Sequence, residues 1–254
     1  MPCGRFRQVG VTSPNNSIKS KERNGKEMKI LFTPDWFLGS DVIIDGFSFL
    51  VLLSFFILSY KNYKASKNKN SLYLGLGFLL IAVAEFATIL TKVVLYYDTS
   101  FTQSIGQMIV TYHVVNSVDI FYYIGFFFNK FLTLWGLYII YRIPQKKNIG
   151  SDAILAVYFI LISAFFGNTF YYIFHLTALV FLVMIISSYL EVYRKNKSEN
   201  TKVLLVAFLL LALSQMIFVL SSLKVCYAIA QIIQLVSYLI LLFLMIRILR
   251  PMKR

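Results

Sequence analysis

Apolar residues in this chain arrive in long uninterrupted blocks. They follow neither the 3.6-residue beat of an amphipathic helix nor the two-residue alternation of a half-buried strand. Blocks near 41–60, 71–95, 118–141, 152–167, 169–190, 202–222 and 225–248 reach or approach the roughly 20 residues with which an α-helix crosses a hydrocarbon core of about 30 Å. The alternation of a barrel strand is missing. The pattern predicts an all-α polytopic membrane protein, a bundle of seven transmembrane helices.

Charge orients the bundle. Only 14% of residues are charged against 58% hydrophobic, and the cations crowd into the connections KNYKASKNKN, RIPQKKN and YRKNKSENTK and the tail RILRPMKR. With seven crossings all of these fall on one side. The other side holds Asp35, Asp41, Asp45 and Asp98, with Lys29 and Lys224 as its loop cations. The positive-inside rule then puts the N-terminus outside and the C-terminus inside, in a multi-pass protein of the cell membrane. The net charge of +14 reflects topology and attraction to an anionic bilayer surface, so no nucleic-acid partner is expected.

Residues 1–27 break the rule, being polar and basic on the outer side without the apolar core of a signal peptide. They read as a disordered basic tail or as a mis-assigned start, with Met28 opening a domain of residues 28–254. Between spans two and three, Phe101, Ile105, Met108, Ile109, Tyr112 and Val115 recur at helical spacing, as in an amphipathic helix on the outer interface that breaks from span three near Asn116 and Ser117. His113 on it reads as a wet surface residue. Cys3 and Cys226 suggest no disulfide framework, and no spacing suggests a metal; no cofactor is expected.

Ionisable groups inside spans are costly, and they usually face the bundle interior with a partner. Rising from Ser71, Glu85 stands about 21 Å and Lys92 about 31 Å above the inner boundary; on span three, Lys130 stands at about 17 Å and Asp119 at about 33 Å. Heights and faces match, which predicts a deep Glu85–Lys130 pair, a Lys92–Asp119 pair at the outer rim, and Asn129 facing elsewhere. Such a pair either fixes helix register or serves gating or proton coupling. Tyr227, Gln231, Gln234 and Tyr238 form one polar stripe on span seven at i, i+4, i+7 and i+11. With Gln215 and His175 at similar depth, the stripe either makes interhelical hydrogen bonds or lines a cavity for a small or lipid-like ligand. Span four is short, so Asn168 and the turn FFGNTFYY are expected to line an outward vestibule.

From Ser59 to Phe86, SYKNYKASKNKNSLYLGLGFLLIAVAEF resembles a broad group of uncharacterised prokaryotic, especially archaeal, seven-helix membrane proteins, and is similar to the seven-helix sensory regions ahead of histidine kinases. The resemblance implies a sensing or receptor-like role. This chain ends at Arg254 without an output domain, so signalling would pass to a separate cytoplasmic protein. Microbial rhodopsins share the topology but carry retinal on a mid-span lysine of helix seven, where this chain has none. The single Pro144–Gln145 pair lacks the second copy of PQ-loop transporters. Spans four and five show no repeat of spans one and two, which leaves an inverted-repeat carrier without support. No nucleophile has a plausible base, so an enzyme is not expected. The leading expectation is a receptor-like module, and the alternative is a small-molecule or ion transporter using the intramembrane Glu/Lys pair.

Overall fold

A computed structural model describes residues 39–96, 117–145, 151–167, 170–220 and 224–249, all within one compact unit, Thr33–Arg254. The basic tail, the interfacial segment around His113 and the turn residue Asn168 lie outside the described residues. The described residues form α1 (Ser40–Ser66), α2 (Lys69–Tyr96), α3 (Ser117–Arg142), α4 (Ser151–Phe166), α5 (Tyr171–Asn196), α6 (Glu199–Val219) and α7 (Lys224–Leu249).

Six of these helices are long and apolar enough to cross a membrane, and α4 is the exception. Its 16 residues reach about 24 Å at 1.5 Å per residue. The outer faces are apolar as well: Phe47, Leu50, Val180, Leu209, Ile232 and Phe243 are all about half exposed. Water would penalise that surface and hydrocarbon would not, so the chain is a multi-pass helical membrane bundle.

Each helix packs on its successor, α7 returns to α1, and α3 also touches α5. An inner ring of α1, α2, α3, α5, α6 and α7 results, with α4 outside it against α3 and α5. Directions follow from cross-contacts. Ser59 Oγ of α1 donates to the Ser71 carbonyl oxygen of α2, and Lys92 of α2 reaches back to Asp45 of α1, so these helices are antiparallel. Asn129 Nδ2 of α3 donates to the Ala84 carbonyl oxygen of α2 at 3.0 Å. Further along the same antiparallel seam Gly77 meets Gly136, where a Cβ added at Gly136 would fall 2.5 Å from the Gly77 carbonyl oxygen. Where lipid is as apolar as leucine, such close backbone approach supplies dispersion contact that hydrophobicity cannot. Tyr138 of α3 packs on Phe181 of α5 while Lys130 lies beside Phe174 at the Gly167 corner, so α3 and α5 run parallel and α4 carries the chain back between them.

An unexpected regularity runs through the ring. The buried positions of α1, Asp45, Ser48, Val51, Leu52, Phe55 and Ser59, reappear at one constant shift in α5 as His175, Ala178, Phe181, Leu182, Ile185 and Tyr189. Phe78, Ile81, Ala82, Ala84, Glu85 and Thr88 of α2 are buried, and at the same shift fall Phe208, Leu211, Ala212, Ser214, Gln215 and Phe218 of α6. Both α1 and α5 end on a lysine in the left-handed region, Lys67 at φ 55° and Lys197 at φ 44°, whose N–H bonds the carbonyl oxygen of Tyr63 or Tyr193. The contact pattern obeys the same relation, α1 on α7 matching α5 on α3. Phe78 stacks on its own equivalent, Phe208, at 6.4 Å and 8°, as residues on a two-fold axis must. The chain is therefore built as two three-helix halves, α1–α3 and α5–α7, in parallel orientation. The comparison of spans four and five with spans one and two missed this because α4 belongs to neither half.

Candidate functional site

The Ser66, Arg142 and Leu249 ends of the helices form the basic end, and the opposite end is the far end. Nearly all buried charged, imidazole and amide side chains lie toward the far end: Asp41, Asp45, Glu85, Lys92, His175, Gln215 and Gln231. Toward the basic end the interior is Phe55, Phe78, Phe208, Tyr189 and Leu244, with Ser59 and Ser71 bonded to each other.

The strongest electrostatic feature joins α1, α2 and α7. Lys92 Nζ lies 2.9 Å from Asp41 Oδ2 and 2.6 Å from Asp45 Oδ2, and donates a longer bond of 3.5 Å to Tyr227 OH. Asp41 sits on the first turn of α1, where its Oδ1 accepts from the N–H groups of Gly39 and Val42; it is at once an anion at the helix N-terminus and an ion-pair partner. Gln231 Nε2 donates to Tyr227 OH at 3.0 Å and to Asp45 Oδ1 at 3.3 Å. Taking such charges out of water costs several kcal/mol per ion, which pairing offsets only when the geometry is close.

One turn deeper, Gln234 Nε2 donates to Glu85 Oε1 and to Tyr238 OH, both at 3.0 Å. The polar stripe of α7 thus faces inward and takes up the α2 carboxylate. In the second half, His175 Nδ1 and Gln215 Oε1 lie 2.7 Å apart, at hydrogen-bonding distance. The Phe218 ring stands between the two polar groups, 4.7 Å from His175 and 5.5 Å from Tyr227.

Of the two expected pairings, Glu85–Lys130 is absent from the contacts among the described residues, and Lys92–Asp119 falls on a side chain outside them. Glu85 is engaged by Gln234 and not by Lys130, whose Cδ lies at the Gly167 corner and whose Nζ is 5.9 Å from the Phe126 ring centroid. It is Asn129 that faces α2. Lys92 pairs with Asp41 and Asp45 of α1; the side chain of Asp119 lies outside the described residues. Height matching between α2 and α3 is necessary for a pair but does not fix which face each residue presents. It also ignored α1, the other neighbour of α2. Asp41 and Asp45 were read as charges of the outer boundary, although their i, i+4 spacing puts both on one face of the first span.

These features define a helical membrane bundle with a buried polar network near one end. No protein-family model, curated protein or solved structure matches the chain.

Proposed function

We propose that this protein is a receptor-like membrane module that binds a small or lipid-like ligand in its polar far half and signals through its basic loops to a separate cytoplasmic partner. One observation carries the reading: the polar network lies toward the far end, whereas the basic end is closed by packed aromatic and aliphatic side chains such as Phe55, Phe78 and Phe208, each at most 1% exposed. Such an interior admits a molecule from one side and turns its binding into a change of helix packing. Topology completes the proposal. The far end faces outward and the basic loops face the cytoplasm of the cell, as the positive-inside rule requires. In this reading α4 is a seventh, short crossing over locally thinned bilayer, since two parallel halves call for an odd number of crossings between them.

The two-fold halves favour a second reading, since parallel repeats with polar sites at their junction are a carrier architecture, and α1 and α7, which share the Asp45–Gln231 contact, belong to different halves. Reconstituted full-length protein separates the two. Stabilisation by a ligand from a small-molecule and lipid screen, without flux of that ligand, supports the receptor. Ligand- or ion-driven flux that disappears in Glu85→Gln overturns it in favour of the carrier.

A further inference from the structure

Three buried acidic side chains share one ammonium in the seam of α1, α2 and α7. Lys92 is committed to Asp41 and Asp45, at 2.9 and 2.6 Å. Asp41 also accepts from the N–H groups of Gly39 and Val42, and Asp45 accepts from the Gln231 amide. Glu85 is placed differently. It is buried, its Oε1 accepts from the neutral amide of Gln234 at 3.0 Å, and among the described residues no cation lies within ion-pairing distance of it. The neighbouring helices do not supply one. From α1 come Asp41 and Asp45, and from α7 come Tyr227 and Tyr238, the latter sharing the Gln234 amide. On α3 it is Asn129 that reaches α2, while Lys130 lies at the Gly167 corner. In the second half Gln215 of α6 is uncharged and is taken up by His175 of α5.

An ionised carboxylate without a cation is the most costly form of such a group inside a membrane bundle, and a carboxyl so placed takes up a proton instead. Ionising Glu85 would also set three negative charges against the one ammonium of Lys92, whereas a proton on Glu85 leaves the two aspartates that Lys92 touches. The second half points the same way. At the constant shift that relates the halves, Glu85 falls on Gln215, an amide with the shape of a protonated glutamate and no charge. We infer that Glu85 is a proton-binding site of the bundle, a neutral carboxylic acid while α2 and α7 are packed together and a carboxylate once water reaches it. On opening, its O–H bond breaks and the proton passes to water; on closing, a proton returns. Acidity at the far end therefore favours the packed seam, and whatever parts α2 from α7 releases a proton. The inference goes beyond the choice between receptor and carrier and depends on neither.

Infrared spectroscopy of the full-length protein in detergent, with and without isotope-labelled glutamate, tests this. A glutamate in water is ionised at neutral pH, and Glu191 and Glu199 are exposed, so a protonated-acid C=O band that moves on labelling belongs to a buried glutamate. Such a band is expected at neutral pH in the wild type and is lost in Glu85→Gln. In Gln234→Leu it shifts to higher frequency, because the N–H donor on its carbonyl oxygen is gone; this variant keeps the test intact if the first misfolds. As pH rises and the band gives way to carboxylate, the apparent Tm of the wild type falls relative to that of Glu85→Gln. The sign follows from the native state holding a proton that the unfolded chain has released. A labelled sample without the band at neutral pH overturns the inference, as does a band that survives Glu85→Gln or ignores Gln234→Leu, or a Tm with the same pH dependence in both proteins. A ligand screen at fixed pH tests the receptor reading separately: ligand stabilisation there with no such band leaves that reading standing and removes this one.

Discussion

Two seams of the ring occupy equivalent places and do opposite things with charge. On α1 the buried position is Asp45, and on α5 its equivalent is His175. On α2 the deeper position is Glu85, and on α6 it is Gln215. The apolar residues of the halves correspond, down to Phe78 and Phe208 stacked on one another, so packing demands the same shapes on both sides. Packing does not demand carboxylates. The second seam joins two of its polar side chains through the His175–Gln215 contact and holds a buried cation, Lys130 of α3, at the Gly167 corner. The buried carboxylates of α1 and α2, absent from the equivalent positions of α5 and α6, are the difference between the seams.

Making the seams alike should be costly first at Lys92, since the same shift along the sequence leads from Lys92 to Ser222. Lys92→Ser leaves Asp41 and Asp45 facing each other, and an expected loss of about 3 to 5 kcal/mol would be measured by unfolding in mixed micelles. Truncation on the axis comes next. Phe78→Ala and Phe208→Ala are each expected to cost about 3 kcal/mol or more, and by similar amounts, because both rings are fully buried in equivalent surroundings. Clearly unequal losses would break the two-fold relation. In the second seam Gln215→Leu removes one amide partner from His175, with an expected loss of about 1 kcal/mol, the scale of interhelical hydrogen bonds in membranes. Glu85→Gln should be the mildest, under about 1 kcal/mol, because Gln234 can still donate to an amide oxygen.

The helical class was legible in the sequence because twenty-residue apolar blocks have few alternatives in water or lipid. The element boundaries were nearly so: span one, ending near 60 by its apolar block, continues to Ser66 through the exposed Lys61 and Lys64, and Lys67 ends it in the left-handed conformation. The inward stripe of Tyr227, Gln231, Gln234 and Tyr238 was legible from spacing alone, because a polar face on an apolar helix avoids lipid. The partners were not. Choosing between Asp45 and Asp119 for Lys92, or between Gln234 and Lys130 for Glu85, requires knowing which helix flanks α2 on which side, and periodicity within one helix says nothing of its neighbours. The two-fold relation was hidden for a different reason. The halves share side-chain volume and burial, while their polar residues have diverged from Asp to His and from Glu to Gln.

The account turns on Lys92 being held by α1, and a double-mutant cycle of Asp45→Asn and Lys92→Met in the full-length protein measures that contact directly. Each single variant is expected to lose several kcal/mol, and the double variant less than the two losses combined, giving a coupling of at least about 1 kcal/mol. Losses that simply add would mean that the two side chains do not meet, and the charged seam would have to be rebuilt from other partners.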